Sequence, residues 1–169
     1  RAPSVDMSGD TTRVEASIHA ALGVPFDRDA SDDFLMDKGA YVLSYNSKRN
    51  VANWVSWRLT KADLGMADRQ NDFRADDALP ATFYHVTPKD YLRSGFDRGH
   101  LCPSADRTRT KDENSLTFLM TNMHPQRPEM NQVTWKKVEE LERKLVEDGE
   151  NELYITVGGI FSGTPETIG

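Results

Sequence analysis

The stretch Phe96-Asp97-Arg98-Gly99-His100, continued by Leu101-Cys102-Pro103-Ser104-Ala105-Asp106-Arg107, places the tightest limits on what this chain can become. A carboxylate, a guanidinium, a glycine and an imidazole occupy four consecutive positions. Histidine is the side chain that exchanges a proton near neutral pH, and arginine grips a phosphate through a planar fork. Glycine between them lets the backbone turn where a Cβ would obstruct it. Together they point to phosphate chemistry with a histidine base.

The remaining sequence supplies a body for this motif. A chain of 169 residues, 37% hydrophobic and 28% charged, reads as one soluble globular domain. No run approaches the roughly 18 apolar residues of a membrane span, so no membrane partner is expected. No signal peptide is evident, which implies a targeting segment removed or never present. Cys102 is the one cysteine, which excludes an internal disulfide and leaves the compartment open. The net charge of -6 argues against a protein that merely coats nucleic acid, but not against a cleft that gathers a few arginines.

Residues 1–11 read as an arm. Val14, Ile18, Ala21 and Leu22 recur at helical spacing from Thr12, and Gly23 and Pro25 stop the pattern. Asp27 to Asp37 reads as a solvated acidic loop. Ala40 to Tyr45 and Val51 to Leu59 form a strand pair around a turn at residues 46–50. Trp54 and Trp57 in the second strand read as core before they read as base-stacking platforms. A polar segment over 60–80 carries Arg69 and Arg74. Short strands are expected at 82–88 and 115–120, a loop at 123–130, and a further strand at 153–160. A helix from Asn131 to about Glu147 would bury Val138, Leu141 and Leu145.

On that helix Asn131, Trp135, Glu139 and Arg143 progress along one flank at about 100° per residue. The flank presents an amide, a carboxylate and a guanidinium in a row. An ordinary exposed face with a Glu139–Arg143 pair is the plain alternative.

In this order, His100, Asn122, Asn131 and Glu139 make the chain similar to the ββα-metal (His-Me finger) fold of the DNA/RNA non-specific endonuclease family, particularly its secreted bacterial members. The resemblance is carried by Asp97-Arg98-Gly99-His100, Pro103 to Arg107, Thr121-Asn122-Met123 with Pro125-Gln126, and Asn131-Gln132 with Trp135 and Glu139. Asn53 to Trp57 and Asp68 to Arg74 add to it. It implies an α+β fold, an antiparallel sheet flanked by helices, with a ββα finger at residues 93–147 in one nuclease domain over 1–169. The family's carboxy-terminal part would be missing, so a further fragment of the same protein is a candidate partner; oligomeric state is left open.

The resemblance also implies roles. His100 would be the general base, with a pKa near its free value of about 6.5. Asn131 would ligate a single Mg²⁺ directly, with Mn²⁺ as a substitute, and Glu139 would hold the metal's waters. Asn122 would orient His100 or its surroundings, and Arg69, Arg98 and Arg143 would contact phosphate. Substrates would be DNA and RNA, cleaved with little sequence preference to 5′-phosphate products. The setting would be secreted or periplasmic, with a mitochondrial one as the alternative. A catalytically inactive nucleic-acid-binding module and a phosphodiesterase for small substrates are the competing readings; cleft shape separates the second.

His19 and His85 read as surface and structural residues. A zinc site of His100, Cys102 and His124 lacks a fourth ligand. Cys102 itself reads as a small buried residue or the partner of a cysteine elsewhere. Arg107, Arg109 and Lys111 read as a basic turn, either solvated or tracking a substrate backbone.

Overall fold

The computed structural model describes residues 9–149 and 151–169. The expected arm falls outside them as far as residue 8; beyond it Asp10 N donates to Leu35 O at 2.7 Å. Strand β3 (Val51–Leu59) is central to a four-stranded antiparallel sheet, flanked by β2 (Val42–Asn46) and β6 (Leu153–Val157), with β1 (Phe34–Asp37) outside β2. Alternation along β3 divides two cores, as a period of two requires. Val55, Trp57 and Leu59 pack with Leu43, Tyr45, Leu101, Cys102 and Val146, whereas Trp54 packs with Val42, Val14 and Ala20. Both tryptophans are core. The β2–β3 turn is held by Asn46, whose Oδ1 accepts from the amides of Lys48 and Arg49 at 3.0 and 3.1 Å. Asn50 closes it with φ of 57°, a left-handed conformation that asparagine tolerates.

A second, two-stranded sheet pairs β4 (Asp97–His100) with β5 (Met123–Gln126), and a π-helical turn, Met130–Trp135, leads from it into a helix, Lys136–Gly149. This is the expected ββα finger on an α+β body. His124 fastens it to the large sheet, donating from Nε2 to Ala52 O at 2.8 Å.

Several local expectations fail for physical reasons. The first helix, α1 (Thr11–Glu15), stops early because Ser17 is extended and its Oγ caps a new 3-10 turn over Ile18–Ala20, leaving Ile18 and Leu22 exposed. The acidic stretch is not simply solvated. It contains β1, and Asp32 accepts from Asn46 and Asn53 while Asp33 accepts from Ser44. Residues 82–88 form no strand. Residues 115–120 are not a strand either: Thr110 caps a helix, α2 (Lys111–Leu116), which supplies the backbone bonds. The loop expected at 123–130 begins as β5, with Pro125 at a pairing position opposite Arg98 on a two-stranded sheet, where an edge tolerates proline. The Lys136–Gly149 helix, α3, buries Val146, whereas Val138, Leu141 and Leu145 are exposed. His19 bridges Gly39 O and Arg58 N, so it ties loop to sheet instead of lying free at the surface.

Candidate active site

His100 ends β4, 8% exposed, with its imidazole against two phenyl rings. Phe118 meets it edge-on at 4.9 Å between centroids and Phe73 at 5.7 Å. The two rings come from distant segments, joined because Arg74 N donates to Phe118 O and Met120 N to Arg74 O at 3.2 and 2.9 Å. Each phenyl ring also carries an arginine: Arg98 stacks over Phe73 at 3.9 Å and Arg69 over Phe118 at 4.8 Å. Arg69 is aimed by Asn71 Oδ1 at 2.8 Å and Ser104 Oγ at 2.5 Å.

This surrounding changes the imidazole. Burial first, then the charges of Arg69 and Arg98, lower the His100 pKa to about 3, well below the free value expected from sequence. The ring is therefore neutral at physiological pH. Its Nε2 is buried and has no hydrogen-bond partner. An orphaned buried nitrogen of this kind calls for an explanation, and a lone pair waiting for a proton is one.

Gly99 serves packing, not turning. It lies within β4, and a Cβ there would collide with the Gln126 side chain on the paired strand. Asn122 supports the strand's exit. Its Oδ1 accepts from Cys102 N, its Nδ2 donates to Cys102 O and Thr117 O, all at 2.9 Å, and its backbone O accepts from Leu101 N. It grips the backbone just after His100.

Asn131 lies in the π-helical turn, a deviation that often marks working sites. Its Nδ2 donates to Asp97 Oδ2 at 2.9 Å, and Gln132 Nε2 donates to the same oxygen at 2.8 Å. The amide is thereby oriented, and its Oδ1 accepts no hydrogen bond among the described residues. Asp97 thus ties the end of the strand that carries the motif to the helical turn. The free Oδ1 is a hard oxygen donor of the type that magnesium takes.

Glu139 is half-buried between guanidinium groups. Burial raises its pKa to about 7, helped by Asp106 and Glu142 and opposed by Arg143 and Arg69. A carboxyl in that state gains from a nearby cation. Arg143 is engaged by a buried carboxylate: its Nη1 donates to Asp106 Oδ1 at 2.9 Å, and Asp106 Oδ2 accepts from Trp57 Nε1 at 2.9 Å. Arg107, expected in an exposed basic turn, is buried and donates to Ala40 O and Arg58 O, both at 2.7 Å. The structure thus gathers His100, Arg69 and Arg98, places Asn131 and Arg98 along one groove, and sets Glu139 between Arg69 and Arg143. Phe73 and Phe118 were not legible as site residues, because nothing in sequence spacing brings them together.

Known proteins give an independent comparison. The family profile described as DNA/RNA non-specific endonuclease matches residues 22–169. A Nostoc sp. protein named nuclease is 49% identical over 146 residues, covering 84% of this chain and 53% of its own length. Human mitochondrial endonuclease G is 36% identical over 137 residues, covering 80% of this chain and 46% of its own. The chain thus spans about half the length of these relatives. The crystal structure of an EndoG/EndoGI complex superposes with a TM-score of 0.76 at 27% identity, over 88% of this chain and 60% of that one. The profile match and these identities, falling on a chain with a ββα finger, make it a member of the DNA/RNA non-specific endonuclease family.

Proposed function

We propose that the protein is a divalent-metal-dependent endonuclease that hydrolyses phosphodiester bonds of DNA and RNA without regard to the sugar. The observation that carries this reading is the buried His100 imidazole, its Nε2 unpartnered, beside two arginines that stack on phenyl rings and form no ion pair among the described residues. A phosphodiester entering between Arg69 and Arg98 offsets the charges that depress the imidazole. Its own negative charge then raises the proton affinity of His100 toward the useful range. The base is poised by the substrate it acts on.

In the reaction the His100 imidazole takes a proton from the attacking water as the water oxygen bonds to phosphorus. The P–O3′ bond breaks, and the departing oxygen takes a proton from solvent water, leaving a 5′ phosphate and a 3′ hydroxyl. Arg69 and Arg98 stabilise charge on the phosphate oxygens as it grows. Asn131 Oδ1, with its amide nitrogen held by Asp97, would hold a divalent cation such as Mg²⁺ or Mn²⁺, and Glu139 would order that cation's waters. When bound, the cation supplies Lewis-acid stabilisation of the phosphate and the departing oxygen. Arg143 supports this arrangement by way of Asp106 and the position of Glu139. Phosphate contacts carry no sequence information, so cleavage is expected to be indiscriminate. The bacterial resemblance favours a secreted or periplasmic setting, and the mitochondrial relative keeps a mitochondrial one as the alternative.

Digestion of plasmid DNA and of RNA, with Mg²⁺ or with EDTA, tests the reading. Both substrates should be cut only with metal, and His100→Ala should slow cleavage about 10²–10⁴-fold. Undiminished cutting by His100→Ala would move the base elsewhere, and no cutting by the folded protein would favour a binding module.

A further inference from the structure

A groove of about 500 Å³ runs from Asn131 and Arg98 to Lys89, Leu92, Arg93 and Phe96. Its cations differ from most of those elsewhere in the fold. Arg58, Arg74, Arg107, Arg109, Arg127 and Arg143 each meet a carboxylate. Lys89, Arg93 and Arg98 are exposed and have no carboxylate partner among the described residues. The one carboxylate on the groove wall, Asp97, is occupied by the amides of Asn131 and Gln132. Phe96, its ring covered by Arg127 at 4.3 Å, contributes an apolar wall with Leu92. Three unneutralised cations beside one engaged carboxylate, in a chain of net charge -6, make a local anion site. Arg98 belongs to this groove and to the His100 cluster, so the two are continuous.

We propose that this groove is a strand-binding extension of the active site, in which Lys89 and Arg93 each hold a backbone phosphate of the nucleic acid flanking the one cleaved at His100. The inference rests on the nucleic-acid reading above and names the residues that make a polymer the preferred substrate. An open trough leading away from the reacting centre suits a chain that enters and leaves. A site for small diesters would need no cations beyond Arg98.

Binding of a fluorescent single-stranded oligonucleotide in EDTA, followed by anisotropy across a salt series, reads the groove without catalysis. The slope of log affinity against log salt should fall by about 1.4 in Lys89→Gln/Arg93→Asn, since each lost phosphate contact on a single strand removes about 0.7. Asparagine is chosen at 93 because Arg93 has φ of 59°, a left-handed backbone. Should the pair fail to fold, Lys89→Gln alone should lower the slope by about 0.7. Lys136→Gln/Lys144→Gln on α3, where both ammonium groups pair with carboxylates, should keep the native slope. A native slope in the Lys89/Arg93 variants, or no binding by the native protein, overturns the proposal. Native binding with the expected loss of slope but no cleavage under Mg²⁺ leaves the groove standing and removes the nuclease reading.

Discussion

Asp106, Trp57 and Arg143 on one side, and His100, Arg69 and Arg98 on the other, show two ways of arranging polar groups within one domain. In the first cluster the buried carboxylate and the indole N–H are paired. Both Asp106 oxygens are engaged, and neighbouring Arg107 spends its guanidinium on carbonyl groups. In the second the imidazole nitrogen has no partner, and the arginines rest on phenyl rings instead of carboxylates. A satisfied network fixes geometry, while an unsatisfied one holds free energy that a ligand can release. The first cluster therefore reads as scaffold and the second as the place where chemistry happens.

Asp106→Ala should test the first half of that contrast with the largest effect on folding. It strands the guanidinium of Arg143 and the indole N–H of Trp57, so urea denaturation should show a loss of about 3–5 kcal/mol. Arg98→Ala should do the reverse, changing stability by about 0.5 kcal/mol or less while lowering cleavage about 10²–10³-fold. An Arg98 variant that loses stability but keeps its rate would break the distinction.

A subtler prediction concerns pH in the metal-free protein. His100 has its pKa lowered to about 3 from 6.5, so the unfolded chain binds the extra proton and stability is lost as pH falls from about 6.5. Glu139 has its pKa raised to about 7 from 4.5, so its contribution is complete below 4.5 and is lost as pH rises through 7. Between 4.5 and 6.5 the two slopes oppose one another, each about 1.4 kcal/mol per pH unit. His100→Asn should make stability fall more steeply with rising pH than in the native protein, and Glu139→Gln should make it rise. Thermal melts in EDTA at half-unit steps would read both. Identical profiles for the two variants would mean that neither side chain is held as described.

The ββα order was legible through the family resemblance carried by the residues around His100 and Asn131, while the alternation of β3 and the helix after Asn131 are local patterns. The sequence missed β5 because a four-residue strand containing proline carries no periodic signal. It misread α3's apolar stripe as buried, since spacing gives the width of a face and not what covers it. The His100 pKa was beyond reach for a related reason. Phe73 and Phe118 that desolvate the ring lie in segments joined through a single bridge between Arg74 and Leu119. Arg143 followed its family-like position in sequence, yet its nearest acidic partner is a carboxylate, Asp106, that sequence offered only as part of a motif.

Cys102 gives the molecule a clock. Its sulfur has no exposed surface, and its backbone is pinned on both sides by Asn122, two residues beyond the imidazole. A thiol reagent can reach it only when that part of the finger comes away from the large sheet. When closing is fast compared with labelling, the labelling rate reports the population of the open form and so its free energy. Added nucleic acid or metal that slows labelling would reveal, by kinetics at a single sulfur atom, how strongly each one holds the finger closed.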